Sequence, residues 1–237
     1  MRPRVRGVAS LCFAVLLLAN VSSAGEAQVN PEDVLLSNRV PHFALVNETL
    51  LDGLKKLSSH DRPFHFGFES VLKAKFSDTS VPEVRFNIQL ENKTVREILD
   101  ALCSADHRYA WSVDDSFVNV YPRASTADPK YLLNRKLPKL EVRNITDIDQ
   151  ALLAIARQLP PPLEQIAHAQ MGGDASYPAQ PWTATFENIT VREAINRLTA
   201  HMGPRACWIF YGSLDFRAFA FFKWGFRGSS PNARQAL

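Results

Sequence analysis

The chain predicts an α+β fold made of two tandem small domains, each a repeated strand-helix unit closed by a β-hairpin, with helices packed on small mixed sheets. Three observations predict it. The stretch ENKTVREILDAL at 91–102 returns as ENITVREAINRL at 187–198. Both copies carry the Thr-x-x-Glu spacing of a capping box just ahead of apolar residues at helical period. Period-two segments precede the boxes, and paired period-two runs follow the second and fourth of them.

The chain starts with Arg2, Arg4 and Arg6, then the apolar run VASLCFAVLLLA (8–19), then Ser22-Ser23-Ala24. That order reads as a secretory signal peptide over residues 1–24, cleaved after Ala24. The run falls short of the roughly 20 apolar residues a membrane span requires, and no later stretch replaces it. The expected location is periplasmic or secreted, with no transmembrane segment after cleavage. Cys12 follows Leu11, where a lipid-anchor site requires a small residue, so no anchor is expected. Residues 25–36 read as a flexible N-terminal segment.

Four helix starts follow. Thr94 with Glu97 and Thr190 with Glu193 have full capping-box chemistry, while Thr49 with Asp52 and Thr146 with Asp149 keep the spacing with a shorter acid. An Asn stands two residues ahead of each Thr, at Asn47, Asn92, Asn144 and Asn188. After the boxes, Val95, Ile98, Leu99 and Leu102, and likewise Val191, Ala194, Ile195 and Leu198, form one helical face. Ahead of them lie the alternating segments Phe43-Ala-Leu45, Phe86-Asn-Ile88-Gln-Leu90, Leu140-Glu-Val142 and Trp182-Thr-Ala184-Thr-Phe186. The unit is strand, tight Asn-x-Thr turn, helix. On these helices Arg192 takes a solvent-facing position.

Thr49 to Thr94 is 45 residues and Thr146 to Thr190 is 44, whereas Thr94 to Thr146 is 52. The units therefore pair into a first domain at 37–122 and a second at 132–224. LLSNRVP (35–41) precedes the first pair and LLNRKLP (132–138) the second. Residues 123–131, within PRASTADPK, read as the linker, and 225–237 as a disordered tail. Each domain closes on a hairpin: Tyr109 to Val113 turns at Asp114-Asp115-Ser116 into Phe117 to Tyr121, and Ala206 to Tyr211 turns at Gly212-Ser213 into Leu214 to Phe222.

These stretches, above all VRFNIQLENKTVREILDALCSADHRYAWSVDDSFVNVYP (84–122) and TATFENITVREAINRLTAHMGPRACWIFYGSLDFRAFAF (183–221), resemble the short N-terminal (STN) domain shared by secretins and TonB-dependent receptors. The resemblance covers most of 40–122 and 138–222. It implies a periplasmic module of the bacterial envelope that docks against partner proteins. The chain departs from the family in reading Ser58-Ser59-His60-Asp61-Arg62-Pro63 where a Gly usually precedes the second strand. It also departs at 160–181, where PPP and Gly172-Gly173 degrade the second domain. With no barrel or pore-forming region after residue 224, the expectation is a free-standing relative.

Composition excludes more than it assigns. The 27 basic and 24 acidic side chains become 24 and 24 once Arg2, Arg4 and Arg6 are removed, so no nucleic-acid partner is expected. Cys103 and Cys207 fall at non-equivalent places in the two repeats and are read either as a disulfide or as two buried thiols. His42, His60, His65, His107, His168 and His201 show no metal-ligand spacing and read as surface or helix-end residues. Glu97 and Glu193 are explained by capping, so no catalytic residue, cofactor or metal is assigned. The four Asn-x-Thr triplets are also glycosylation sequons, although a buried strand-to-helix turn is a poor place for a glycan. In the last strand, Phe219, Phe221 and Trp224 form an aromatic face: left exposed, it is a partner-binding surface; covered by a helix, it is core.

The first functional expectation is thus an exported, non-enzymatic adaptor or assembly module whose partner is an envelope protein. Two alternatives stand beside it: an exported hydrolase-like enzyme with its site in an inter-domain groove near 160–181, gathering His168, and a secreted eukaryotic glycoprotein.

Overall fold

The structure, a computed structural model, describes residues 31–60, 64–71, 82–146, 148–159, 167–170, 181–203, 206–212 and 217–223. The signal-peptide reading, the C-terminal tail, Trp224 and most of the 160–181 stretch lie outside the described residues.

After a short α1 (Pro31–Ser37), the first half runs β1 (Arg39–Thr49), α2 (Leu50–Ser58), β2 (His65–Glu69), β3 (Arg85–Thr94), α3 (Val95–Ala105), β4 (Tyr109–Asp114) and β5 (Phe117–Pro122). The second half repeats that order as β6 (Lys136–Ile145), α4 (Ile148–Ala156), β7 (Ala167–Gln170), β8 (Trp182–Thr190), α5 (Val191–His201), β9 (Ala206–Gly212) and β10 (Arg217–Lys223). The α+β class is as the sequence predicts.

Three of the four expected helix starts carry complete capping boxes. Thr49, Thr94 and Thr190 each accept from the backbone N–H three residues on, at 3.2 Å, while Asp52, Glu97 and Glu193 accept from the Thr backbone in return. At the fourth, α4 begins at Ile148 with Asp149 in its first turn, and residue 147 lies outside the described residues.

The four Asn residues share one backbone state. Asn47, Asn92, Asn144 and Asn188 all have φ between 50° and 55°, a left-handed conformation that Asn tolerates better than most residues with a Cβ. In the antiparallel ribbon β1–β3, Asn47 falls in the register shift between Leu45 and Glu48, and its N–H is taken up by the Asn87 side chain at 2.8 Å. Asn144 does the same in ribbon β6–β8, donating to the Thr183 hydroxyl at 3.0 Å. Asn92 lies between the pairs Val40↔Lys93 and His42↔Glu91, opposite Pro41, and Asn188 lies between Leu137↔Ile189 and Lys139↔Glu187, opposite Pro138. Proline has no N–H to offer the ladder, so the left-handed turn at Asn92 and at Asn188 leaves no donor of the opposite residue unpaired. All four Asn residues are exposed, so it is backbone conformation and not burial that accounts for them.

The halves do not build two separate sheets. Their remaining strands join in one six-stranded mixed sheet of order β4-β5-β2-β9-β10-β7, through the parallel pairing of β2 with β9. Each half contributes three strands in the same order, β4-β5-β2 and then β9-β10-β7, but every strand of the second half runs opposite to its counterpart. Same order with reversed direction means a half turn about an axis across the sheet, which also turns the sheet face over. Accordingly, Phe66, Phe68, Val118, Val120, Cys207 and Ile209 face the core of α2 and α3, while Phe117, Trp208, Phe210, Phe219 and Phe221 face the core of α4 and α5. In the first half α2 touches β1 and β2 while α3 touches β3 and β4; in the second, α4 touches β6 while α5 touches β8 and β9. The molecule is therefore layered as ribbon, helices, shared sheet, helices, ribbon.

The expected linker is a folded clasp. Two short 3₁₀ turns, Arg123–Ser125 and Leu132–Asn134, are tied together by the Asn134 amide, which donates to the carbonyls of Ser125 at 2.6 Å and Asp128 at 2.9 Å. Tyr131, Leu132 and Leu133 are buried in the second core.

Candidate functional site

The seam where β2 meets β9 holds a buried ion pair that joins the two halves. Alternation along β2 sends Phe66 and Phe68 into the first core and points His65, Gly67 and Glu69 at the second. His65 stacks on Phe117 with ring centroids 5.4 Å apart, and its Nδ1 lies 2.9 Å from the Ala206 carbonyl. A Cβ at Gly67 would lie 2.3 Å from the Trp208 indole, so this strand position is closed to any side chain. Glu69 is 0% exposed and is gripped by Arg192 of α5 through two bonds, Nε to Oε1 at 2.5 Å and Nη2 to Oε2 at 3.1 Å. Arg192 also donates to Asn134 Oδ1 at 2.8 Å and lies 5.2 Å from the Tyr121 ring centroid. Burial pushes the Glu69 carboxyl above its ordinary range while Arg192 pulls against it. Burial likewise works against the Arg192 charge, but the bonds to Glu69 keep the guanidinium firmly protonated. Arg192 is thus an inter-half clamp and not the solvent-facing residue expected from helix periodicity.

Two tryptophans hang from their helices in the same way. Trp208 Nε1 donates to Asn196 Oδ1 at 2.8 Å, and Trp111 Nε1 donates to Asp100 Oδ1 at 2.9 Å. Asn196 and Asp100 each stand six residues after their capping Thr, Thr190 and Thr94. The first pair is buried beneath β2. The second lies at the open side of β4, which pairs with β5 and with no other described residue. Arg96, the counterpart of Arg192, is exposed and lies 5.8 Å from the Trp111 ring centroid.

A cavity of about 320 Å³ opens between the start of α2, the end of β2 and the start of β4. Two of its polar contacts join lining residues to each other. Arg108 makes a bidentate pair with the buried Asp106, at 2.8 and 2.7 Å, and the Tyr109 hydroxyl accepts the Val71 N–H at 3.2 Å. Burial pushes Tyr109 up to about 12 and raises Tyr211 as well, so both phenols stay protonated at neutral pH. Nothing in this lining presents a nucleophile beside a base. Among the described residues no group of three His, Cys, Asp or Glu is placed to hold a metal ion, and no helix is long and apolar enough to cross a membrane.

No protein-family model, curated protein or solved structure matches this chain. Its own geometry is therefore the ground for a functional reading.

The aromatic partner surface read from the last strand is corrected by burial. Phe219 and Phe221 are 0% and 1% exposed, packed against Trp208 and Phe210 under α4 and α5. Trp224 lies outside the described residues. No disulfide joins Cys103 to Cys207; both thiols are buried on the first-core side, and burial pushes Cys103 up to about 12. His42 is exposed against Glu91, and His201 ends α5 stacked on Trp182. The inter-domain groove expected near 160–181 falls mostly outside the described residues, and the described strand β7 sits at the far edge of the sheet with His168 in register with Phe219.

Sequence reasoning missed the Glu69–Arg192 clamp. The signal was present: Glu69 is the lone acid in the run HFGFE, and an acid in a strand of alternating Phe requires a partner.

Proposed function

We propose that this chain is an exported, non-enzymatic protein of the bacterial envelope, a docking or assembly module akin to the STN domains of secretins and TonB-dependent receptors. One observation carries the reading: each half repeats the order strand, helix, strand, strand, helix, hairpin, and among the described residues the sheet shared by the two halves is left unpaired at β4 beside Trp111 and Arg96. The fully buried carboxylate Glu69 is bonded to Arg192 of the other half, as expected of a scaffold. An open strand edge flanked by an aromatic ring and a cation is a surface suited to another chain. The signal-peptide reading of residues 1–24 places that partner in the periplasm or outside the cell.

The test is photo-crosslinking of the full chain produced in a bacterium with two membranes, with the probe at Ser112 in β4 and a control at the exposed Leu153 of α4. A specific envelope protein captured at Ser112 and not at Leu153 is the expected result. Retention of the uncleaved chain in the cytoplasm overturns the export reading, and equal capture at both positions overturns the docking surface.

A further inference from the structure

The internal seam is a worked example of how this fold receives a strand. There β9 pairs in parallel with β2 so that Gly67 sits level with Trp208, Phe68 with Ile209 and Glu69 with Phe210. The indole fills the space left by the missing side chain at Gly67, and Arg192 from the overlying helix binds the carboxylate two residues further on. Three parts thus make the receptor: an outer hairpin strand, a tryptophan pinned to the sixth residue after the helix cap, and an arginine two residues after that cap.

The first half repeats all three. β4 is the outer strand of its hairpin as β9 is of the other, Trp111 is pinned to Asp100, and Arg96 follows Thr94 by two residues. What differs is occupancy: no described residue pairs with the outer side of β4, and Arg96 stands exposed.

We infer that the β4–α3 edge binds an extended acidic segment of a partner protein, lying parallel to β4, with glycine against Trp111 and a carboxylate two residues later on Arg96. Parallel direction follows from the seam, as does the spacing from glycine to acid. The opposite face of the edge sets the residue between them. β4 presents Ala110, Ser112 and Asp114 where β9 presents Cys207, Ile209 and Tyr211, so the intervening residue is small and polar where β2 has Phe68. The recognised pattern is glycine, polar, acid, and it differs from the chain's own Gly67-Phe68-Glu69. An edge strand supplies main-chain hydrogen bonds, and the two pockets supply selectivity. The inference rests on the docking role proposed above and names its partner chemistry.

The test titrates the purified full chain with the capped peptide HTGTESV, following the Trp111 indole N–H by NMR with Trp208 as internal control. The expected result is a saturable shift of Trp111 and of β4 amides with a dissociation constant of about 1 mM or tighter. Changing Arg96→Glu weakens it at least about tenfold, and the peptide HTGTKSV restores binding to that variant. The Trp208 signal stays in place throughout, which also reports that Arg96→Glu has folded. No shift at Trp111, equal binding of HTVTESV, or movement of Trp208 in place of Trp111 each overturns the inference. So does concentration-dependent self-association through β4, because the occupant is then a second copy. Crosslinking at Ser112 that succeeds while the peptide fails leaves docking standing and removes this partner chemistry.

Discussion

At Asn92 a side chain is chosen for the backbone it permits. Left-handed φ costs a residue with a Cβ roughly 1–2 kcal/mol, and Asn is among the residues that bear it best. Replacing Asn92 by Ala is expected to lower stability by about 1 kcal/mol, whereas Asn92→Gly keeps or raises it; denaturant midpoints decide between them. Glu97 gives a second prediction at this scale. Hydrogen bonds from Lys93 and from the Thr94 backbone and hydroxyl hold its carboxyl down at about 2. An unfolded chain binds that proton near pH 4.3, so as pH falls the unfolded state is protonated first. The charge therefore stabilises the fold fully above about pH 4.3, and the contribution fades as pH drops through about 2. Thermal melts of Glu97→Gln are expected to lie below those of the parent at neutral pH and to converge with them near pH 2. A gap that persists at pH 2 means that the charge is not what the cap uses.

Among the elements, helix starts and hairpins were legible and strand partners were not. Capping is local, decided by a Thr and an acid three residues apart, so Thr49, Thr94 and Thr190 mark their helices without reference to the rest of the chain. The first hairpin is equally local: Asp115 and Ser116 both have positive φ, as a two-residue turn between twisted strands demands. β10 shows the limit. Its run RAFAFFK is apolar on alternate positions of both faces, the mark of a strand covered on both sides. Whether a second layer existed to cover it depended on helices about 24 and 68 residues earlier, centre to centre. Pairing of β2 with β9 was hidden for the same reason, because 141 residues separate His65 from the Ala206 carbonyl it meets. The clamp across that seam can be tested. Removing one partner strands a buried charge, so Arg192→Ala is expected to cost on the order of 3–5 kcal/mol. Replacing both, Glu69→Leu with Arg192→Met, is expected to recover most of that loss in a denaturant titration. Equal destabilisation by the single and double changes overturns the clamp.

For the whole molecule, the half turn that relates its two parts makes each the cover for the other. The second half's β9 closes the β2 edge, and its aromatic residues lie on the face that the first half's helices do not reach. Independent domains joined by a tether would each melt cooperatively alone. Here, fragments 31–131 and 132–223 are each expected to lack a cooperative transition, and to regain one, together with the buried Trp208 signal, when mixed. Sharp melting of either fragment by itself overturns the shared-sheet account. The two halves repeat one order of elements, but the repeat spacing carried no information about whether they fuse into one sheet.

The Glu69–Arg192 bond spans 123 residues of chain, and that separation is also an interval of time. At a synthesis rate of about 5–20 residues per second, the ribosome takes roughly 6–25 s to deliver the arginine after the acid. Through that interval the first half lacks the partner of its carboxylate and of its strand edge, and a chaperone that keeps the chain unfolded for export has its greatest leverage there.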